Sequence, residues 1–308
     1  MKLSQIESFK VTSHPQHSRI KHIELCPDSV HNFFEEVANV SSQQLENVAF
    51  IRFHVAKALR ESLGAELTQM LKQTLHDRAT GGFTIGLSDY VQDFDSFLKF
   101  STAVAYSVGI SNFDDMSGEY YAVFDVKHSF DSDTNLRKAY RNLELHTDGV
   151  FMNEVTDWLL MMKLKEQHAE GGESRFLHIE DWEDAGKFQK HPLASHKFKY
   201  TYAHRKSKNI TDVVYDSVFY KKDNQICMRF NDQCTFPETE EQAEYLREIS
   251  ESVEKSSGTK SVKLPVGHLV VLNNHFWLHG RESFKENEKL FRQLMRQRGV
   301  FHKNAIKK

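Results

Sequence analysis

The feature that most constrains this chain is a histidine and an aspartate two positions apart, His146 and Asp148, in the segment L-H-T-D-G. On a β-strand, alternate side chains project from the same face, so an imidazole and a carboxylate could both reach one metal ion. A third ligand is available at His279, in the distant segment N-N-H-F-W-L-H-G-R. A chain that uses these residues together must bring two segments far apart in sequence into contact.

One carboxylate and two imidazoles form the ligand set of non-haem Fe(II) oxygenases, which leave other coordination positions open for reactants. The His-x-Asp spacing alone is weak support, because the chain has 17 histidines and 43 acidic residues. Three His-x-Glu pairs also occur, at His22/Glu24, His168/Glu170 and His178/Glu180. Spacing alone therefore leaves two hypotheses open, a metal centre and a surface strand with an incidental histidine and aspartate.

The third ligand has an alternative candidate, because His275 lies four residues before His279. On a helix, that spacing would place both imidazoles on one face, as in some zinc sites. The preceding segment, G-H-L-V-V-L-N, is instead typical of a strand. We therefore favour His279, beside which Gly280 allows close approach of the backbone, and expect structural or supporting roles for His275 and His268.

The hydrophobic pattern changes from helical to β about a third of the way along the chain. A helix is predicted to begin at Pro27, and apolar residues recur at helical spacing over residues 52–78, weakened at Gly64, and over residues 93–109. Strands are predicted at residues 82–87, 119–127, 158–164, 175–179, 197–203, 213–220, 225–230, 260–264, 267–273 and 291–301. Residues 181–188 and 238–255 are predicted to be helical insertions, the second with a solvated, charged face.

Many short strands predict a sandwich, a barrel or a double-sheet jelly roll. A jelly roll also brings distant ligands together, because its strands run back and forth between two ends. We therefore expect one domain over residues 1–308, mainly β with flanking helices and a jelly-roll core. It would comprise a variable N-terminal arm and helix (1–50), a helical layer (50–110) and the core with its helical insertions (115–305). Within the arm, we expect the first 27 residues to be loosely ordered or to form an edge strand.

Charge and composition argue against several classes of function. The formal net charge of −3 gives no electrostatic basis for binding nucleic acid or an anionic membrane. No stretch approaches the roughly 18 apolar residues of a membrane span, and the N-terminus lacks the apolar region of a signal peptide. The three cysteines have no C-x-x-C spacing, which argues against a disulfide framework or a zinc ribbon. We expect a cytoplasmic protein without nucleic-acid or membrane partners.

Three arginines, Arg292, Arg296 and Arg298, lie at even offsets near the C-terminus, so an extended strand would place them on one face. Guanidinium groups are costly to bury without anions and pair with carboxylates through two parallel hydrogen bonds. This face is therefore predicted to bind carboxylates. A solvent-facing or nucleic-acid-binding basic patch is less favoured, because neighbours such as Phe291 and Met295 are typical of a sheet core.

Together these motifs resemble the taurine dioxygenase/clavaminate synthase-like group of 2-oxoglutarate/Fe(II)-dependent oxygenases, and within it the CsiD family of glutarate 2-hydroxylases. The resemblance is carried by S-N-F-D-D-M-S-G-E-Y-Y, L-H-T-D-G, T-D-W-L-L-M-M-K, G-G-E-S-R-F-L-H-I-E-D-W, N-N-H-F-W-L-H-G-R and L-M-R-Q-R-G. These segments are specific as a set, although each is short. They cover roughly residues 50–300, and the first 50 residues show little of the resemblance.

The resemblance implies a double-stranded β-helix in which His146, Asp148 and His279 hold Fe(II), with 2-oxoglutarate as cosubstrate and O2 as oxidant. Ser174, in the segment G-G-E-S, matches the position at which these oxygenases contact 2-oxoglutarate.

The three arginines would then divide between the distal carboxylate of 2-oxoglutarate and a carboxylate of the substrate. The CsiD family pattern favours Arg298 for the cosubstrate and Arg296 for the substrate. The spacing in the taurine dioxygenase group favours Arg292 for the cosubstrate instead, and the sequence leaves this choice open.

The implied reaction is hydroxylation of glutarate to (S)-2-hydroxyglutarate with release of succinate and CO2, in lysine and glutarate catabolism, by a homotetramer. Two alternatives are a related oxygenase acting on another small acid and a catalytically silent jelly-roll sensor that binds a dicarboxylate.

Overall fold

The computed structural model describes residues 8–87, 89–115, 117–128, 138–202 and 213–302. The helices are α1 (Pro27–Glu36), α2 (Ser42–Asn47), α3 (Ala49–Leu63), α4 (Ala65–His76), α5 (Phe94–Val108), α6 (Ala185–Gln189) and α7 (Glu240–Lys255). The strands are β1 (Phe9–His14), β2 (His17–Leu25), β3 (Gly82–Gly86), β4 (Gly109–Ser111), β5 (Ala122–Lys127), β6 (Leu143–His146), β7 (Trp158–Gln167), β8 (Ser174–His178), β9 (Phe198–Tyr200), β10 (Val214–Asp216), β11 (Phe219–Lys222), β12 (Gln225–Met228), β13 (Thr235–Phe236), β14 (Lys260–Val262), β15 (His268–Asn273), β16 (Trp277–Arg281) and β17 (Phe291–Phe301). Within the described ranges, no helix has the length and apolar character needed to cross a membrane.

Two sheets that pack face to face form the centre of the molecule. The larger has eight strands, in the order β1-β2-β3-β15-β7-β17-β4, with β5 also paired to β17. The smaller has four, in the order β14-β8-β16-β6. Side chains from β2 and β15 of the larger sheet and from β6, β8 and β16 of the smaller sheet share one hydrophobic cluster. The prediction of a mainly β molecule with flanking helices and a jelly-roll core is confirmed.

A layer of five helices, α1 to α5, covers the outer face of the larger sheet. Apolar side chains of these helices form a second cluster with alternate residues of the strands, among them Ile85, Met162 and Met295. Because side chains alternate across a strand, the residues between them face the smaller sheet. The predicted helical range of residues 50–110 also contains β3, which belongs to the larger sheet, and α1 and α2 lie before it.

Local sequence explains where two of these helices begin and end. The helix predicted over residues 52–78 is divided at Gly64, whose φ of +92° is a conformation that favours glycine. The next helix, α5, begins after Asp93, whose side chain accepts a 2.8 Å hydrogen bond from the backbone N–H of Ser96. This contact satisfies one of the otherwise unpaired N–H groups of the first turn.

The N-terminal segment is an edge of the larger sheet, one of its two predicted forms. β1 and β2 form an antiparallel hairpin, and β2 pairs in parallel with β3. Residues 1–7 of the predicted arm lie outside the described residues.

The predicted charged helix near the C-terminus is α7, which has a buried face as well as a solvated one. Tyr245, Leu246, Ile249 and Val253 are buried and join the cluster of the smaller sheet, while Glu244, Arg247 and Glu251 are exposed. The helix therefore covers the outer side of the smaller sheet.

Two buried histidines flank Trp277 in the core. The ring centroids of His17 and His178 lie 5.0 and 4.9 Å from that of Trp277. Neither ring nitrogen of His17 has a hydrogen-bond partner among the described residues, and the same is true of His178 Nε2. Burial lowers the pKa of His17 to about 4 and that of His178 to about 3.

We expect the free energy of unfolding to fall by about 1–2 kcal/mol per histidine between pH 7 and pH 5. Both folded-state pKa values lie below the unfolded value of 6.5. The unfolded chain therefore binds more protons as the pH falls below that value, and stability is lost. Urea unfolding at several pH values measures this loss, and His17→Leu should reduce it. Equal stability of the wild-type protein at pH 7 and pH 5 would contradict the prediction.

Candidate metal centre

His146 and His279 lie side by side on neighbouring strands of the smaller sheet. They are Cα partners in the antiparallel pairing of β6 with β16, and their ring centroids are 4.3 Å apart. The register shifts immediately after His279, at Gly280. A Cβ atom at Gly280 would lie 2.4 Å from the carbonyl oxygen of Leu143, so glycine allows the two strands to approach at this point.

Asp148 joins the two histidines to form a cluster of three metal-ligating groups. Its Oδ1 lies 3.6 Å from His146 Nε2 and 3.8 Å from His279 Nε2. One ligand atom from each residue lies within 4.8 Å of the others, and all three residues are buried. In the part of the chain that the structure describes, no other group of three His, Cys, Asp or Glu side chains has this geometry. The fold thus brings the three predicted ligands together.

The surroundings favour metal-binding forms of these groups. His146 Nδ1 lies 2.7 Å from the carbonyl oxygen of Glu144 and donates to it, which leaves Nε2 for a metal ion. Burial lowers the pKa of His279 to about 3, so this imidazole is neutral at pH 7. Burial opposes ionisation of Asp148, but Arg296 and the two histidines hold its pKa well below the usual range. Burial also opposes protonation of His146, but the Asp148 carboxylate raises that pKa, so a metal ion must compete with a proton there.

Asp148 itself does not lie on the strand, which differs from the sequence-based expectation. β6 ends at His146, and Asp148 lies in the turn that follows. Asn274 holds this turn: its side-chain oxygen accepts from the Asp148 N–H at 2.8 Å, and its amide donates to the carbonyls of Asp148 at 3.0 Å and Thr156 at 2.9 Å. Sequence patterns do not indicate this role, because Asn274 and Asp148 are 126 positions apart.

We expect Asn274→Ala to weaken Fe(II) binding about 10- to 100-fold, the usual effect of losing a group that orients a metal ligand. The variant keeps all three ligand side chains but releases the turn that carries Asp148. Anaerobic competition with a chelator gives the Fe(II) dissociation constant. Asn273→Ala is the matched control, because the buried Asn273 amide donates to Leu75 O instead. Equal Fe(II) affinity in the two variants would refute a positioning role for Asn274.

His275 and His268 lie outside the cluster. His275 Nε2 is 2.7 Å from both Asp157 Oδ1 and Lys222 Nζ, and its Nδ1 contacts the Tyr220 hydroxyl. This network joins the residue before β7, strand β11 and the loop before β16. His268 lies over Gly86 at the beginning of β15.

The three C-terminal arginines share the inner face of β17. On the opposite face, Met295 belongs to the cluster under the helical layer, and the Gln297 amide donates to the Ser101 hydroxyl of α5 at 3.1 Å. Because side chains alternate along β17, Arg292, Arg296 and Arg298 face the smaller sheet.

Arg296 and Arg298 lie close to the metal-ligand cluster. Arg296 Nη1 is 3.1 Å from Asp148 Oδ2, and its Nη2 is 2.8 Å from Asp114 Oδ2. Arg298 Nη2 lies 3.5 Å from the same Asp114 oxygen. Burial opposes ionisation of Asp114, but the two arginines hold its pKa below the usual range. Asp114 lies in the S-N-F-D-D motif, although the sequence alone did not indicate its contact with the arginines.

Arg292 lies apart from the other two arginines. Its Nη1 donates to the carbonyl oxygen of Gly172 at 2.6 Å, and its guanidinium carbon lies 5.7 Å from the ring centroid of Phe284. Ser174 begins β8 two residues after Gly172 and is buried. The arginines therefore form two groups, Arg292 near the G-G-E-S segment and Arg296 with Arg298 at the metal-ligand cluster.

A family model described as CsiD matches residues 9–301. The chain belongs to the CsiD family. The resemblance found in the motifs is therefore confirmed. The match begins well before residue 50, so the N-terminal hairpin and α1, in which the motifs were sparse, are part of the CsiD family match.

Solved structures, among them those of two oxygenases, share the fold of this CsiD family member at low sequence identity. Asparagine oxygenase is 16% identical, with a TM-score of 0.72, and the match covers 92% of this chain and 94% of that one. The non-haem iron oxygenase OrfP in complex with Fe and alpha-ketoglutaric acid is 15% identical, with a TM-score of 0.64 and coverage of 91% and 94%. The PvcB protein from Pseudomonas aeruginosa is 14% identical, with a TM-score of 0.55 and coverage of 96% and 93%.

Proposed function

We propose that this protein is an Fe(II)- and 2-oxoglutarate-dependent dioxygenase that hydroxylates glutarate at C2, giving (S)-2-hydroxyglutarate, succinate and CO2. The observation that carries the proposal is the buried cluster of His146, Asp148 and His279 beside a strand face with two separate groups of arginines. A reaction between two dicarboxylates at one metal ion needs these two features. Lysine and glutarate catabolism is the corresponding pathway.

The donor set fits Fe(II). Two imidazole nitrogens and one carboxylate oxygen converge, and this ligand set leaves coordination positions for reactants. When bound, Fe(II) with 2-oxoglutarate and O2 supplies the oxidising chemistry that places one oxygen atom on the substrate and converts 2-oxoglutarate to succinate and CO2. The chain's own residues hold the reactants in position, balance their charge and exclude water. In the related fold, OrfP forms a complex with Fe and alpha-ketoglutaric acid, which supports the assignment.

We assign Arg292 and Ser174 to the distal carboxylate of 2-oxoglutarate. Ser174 lies in the segment that contacts the cosubstrate in similar oxygenases, and Arg292 is hydrogen-bonded to Gly172, two residues before it. Arg298 was the other cosubstrate candidate, but it lies beside Arg296 and shares the Asp114 carboxylate with it. The geometry therefore favours the division that follows the taurine dioxygenase spacing.

Arg296 and Arg298 are assigned to a substrate carboxylate. Both guanidinium groups reach the same Asp114 oxygen. A carboxylate bound in this region therefore has the N–H donors of two adjacent guanidinium groups within reach. Arg296 also contacts Asp148, which ties the position of the substrate carboxylate to that of a metal ligand.

Two other functions remain as alternatives. A related oxygenase acting on another small acid fits the same metal cluster, and the solved relatives include an asparagine oxygenase in complex with Fe(II), hydroxyasparagine and succinate. A catalytically silent dicarboxylate sensor would use the arginines without turnover. Release of succinate in air separates both oxygenases from the sensor.

We expect glutarate to be preferred over succinate and adipate by about 5- to 150-fold in kcat/KM. A diacid one methylene shorter or longer leaves one buried partner unpaired, which costs about 1–3 kcal/mol. Succinate is both a product of 2-oxoglutarate and one of the diacids compared, so its formation cannot report on every reaction. Consumption of 2-oxoglutarate should therefore be measured with each diacid, taurine and amino acids at equal concentration. Faster turnover with taurine or an amino acid would overturn the glutarate assignment but leave the assignment of iron and 2-oxoglutarate intact.

We also propose a cytoplasmic homotetramer without nucleic-acid or membrane partners. Self-association is supported by exposed aromatic side chains on α3, where Phe50 is 73% and Phe53 47% exposed. The mass of the purified protein in solution tests the tetramer.

A further inference from the structure

Two buried arginines lie against the ring of Phe284, in the segment that connects β16 with β17. The guanidinium carbons of Arg281 and Arg292 are 5.2 and 5.7 Å from the ring centroid. Arg281 is 5% and Arg292 1% exposed. Arg292 was predicted to be a binding residue, whereas no role was predicted for Arg281.

Hydrogen bonds within the described residues leave both guanidinium groups incompletely satisfied. Arg281 Nη2 donates to the carbonyls of Lys138 at 2.6 Å and Arg141 at 3.3 Å, and Arg292 Nη1 donates to Gly172 O at 2.6 Å. The buried Nε atom of each has no acceptor among the described residues. A guanidinium group offers five N–H donors, so each can take a further acceptor.

Neither arginine has a carboxylate at ion-pair distance in the part of the chain that the structure describes, whereas Arg296 has two. Both guanidinium groups stay charged at neutral pH, because arginine keeps its proton in proteins. Two buried cations without an ion-pair partner among the described residues are unfavourable, and an anionic ligand would relieve this.

The position of Arg281 relative to the metal cluster fits one particular anion. Arg281 follows His279 by two residues on β16, which places their Cα atoms roughly 6.5–7 Å apart. It is also the register partner of Ser174 on β8. In 2-oxoglutarate, two methylenes separate the keto carbon from the distal carboxylate, so a molecule bound to the metal by its keto-acid end extends over a similar distance.

We propose that Arg281 and Arg292 together bind the distal carboxylate of 2-oxoglutarate, with Arg281 as a second cosubstrate-binding arginine. This inference rests on the proposed function. In a purely structural role, Arg281 would only hold the backbone at Lys138 and Arg141. The two roles differ in one measurable respect, because only a carboxylate-binding arginine distinguishes 2-oxoglutarate from a keto acid without the distal carboxylate.

The test compares 2-oxoglutarate with 2-oxopentanoate, which keeps the keto-acid end and the chain length but lacks the second carboxylate. Dissociation constants are measured anaerobically by calorimetry on the Fe(II)-loaded wild-type protein and on Arg281→Met. We expect the variant to bind 2-oxoglutarate about 10- to 100-fold more weakly and 2-oxopentanoate almost unchanged. The 2-oxoglutarate affinity of Arg281→Lys should lie between those of the wild-type protein and Arg281→Met. Because the lysine variant keeps the positive charge, it also serves as the test if the methionine variant does not fold.

Arg175→Met is the matched control. Arg175 is also 5% exposed and lies on the neighbouring strand β8, but it pairs with Glu254 and Glu282 on the outer side of the smaller sheet. Arg175→Met should lower the free energy of unfolding but keep the preference for 2-oxoglutarate over 2-oxopentanoate. Unchanged 2-oxoglutarate affinity in both Arg281 variants, or equally weakened binding of both keto acids, would overturn the role of Arg281. Either result would leave the proposed function intact. Failure of the wild-type protein to bind 2-oxoglutarate would overturn the proposed function and this inference with it.

Discussion

Replacing any one of the three metal ligands, as in His146→Ala, Asp148→Ala and His279→Ala, should abolish stoichiometric iron binding and reduce turnover by far more than about 100-fold. Losing a group that only orients a ligand already costs about 10- to 100-fold, and losing the ligand itself removes a coordinate bond. Each variant should remain folded, because the ligands lie at one end of a core built from large apolar clusters. Iron content after anaerobic loading and the circular dichroism spectrum measure the two effects separately.

His275→Ala is the control for this series, because His275 is a buried imidazole close in sequence to His279 but outside the ligand cluster. It should keep most of its iron while losing the Asp157 contact. Loss of iron in His275→Ala together with normal iron in His279→Ala would show that the distal ligand has been assigned wrongly.

Removing an arginine that partners a buried carboxylate should produce the second large effect, a loss of about 3–5 kcal/mol in binding the ligand concerned. Arg292→Met should raise the concentration of 2-oxoglutarate needed for half-maximal rate, its KM, and leave the KM for glutarate nearly unchanged. Arg296→Met should chiefly raise the requirement for glutarate. Lysine should rescue both positions poorly, because an ammonium group cannot form two parallel hydrogen bonds with a carboxylate. Steady-state kinetics with each substrate varied in turn measures the two requirements.

The outcome decides between the two divisions of the arginines. A raised requirement for 2-oxoglutarate in Arg298→Met, with Arg292→Met near wild type, would support the CsiD pattern inferred from sequence and refute the division proposed from the structure. Wild-type kinetics for all three arginine variants would refute carboxylate binding by this strand face altogether.

Elements with a strong local pattern were predictable from sequence. The helix that became α5 has an apolar stripe and a capping aspartate, and β7 is a continuous apolar run buried at the centre of the larger sheet. The even offsets of the arginines on β17 followed directly from strand geometry. The spacing of His146 and Asp148 identified two partners correctly as neighbours, although the strand ends between them.

Contacts between distant segments could not be predicted in the same way. Asn274 binds the backbone of the turn that carries Asp148, and this contact depends on where the loop after β15 lies in three dimensions. The same holds for Asp114, which meets Arg296 only because its loop folds toward β17. The division of the arginines also needed the structure, since sequence spacing gives their shared face but not which neighbours they meet.

A single-turnover measurement tests whether the protein couples oxidation of 2-oxoglutarate to hydroxylation of glutarate. Protein loaded anaerobically with Fe(II) and 2-oxoglutarate is mixed with glutarate and then exposed to O2, and succinate and 2-hydroxyglutarate are quantified together. The two products should form in equal amounts, and neither should form when iron is omitted or Asp148 is replaced by alanine. Tight binding of Fe(II) and 2-oxoglutarate with no succinate after exposure to O2 would contradict this coupling, and would indicate a sensor instead of an enzyme.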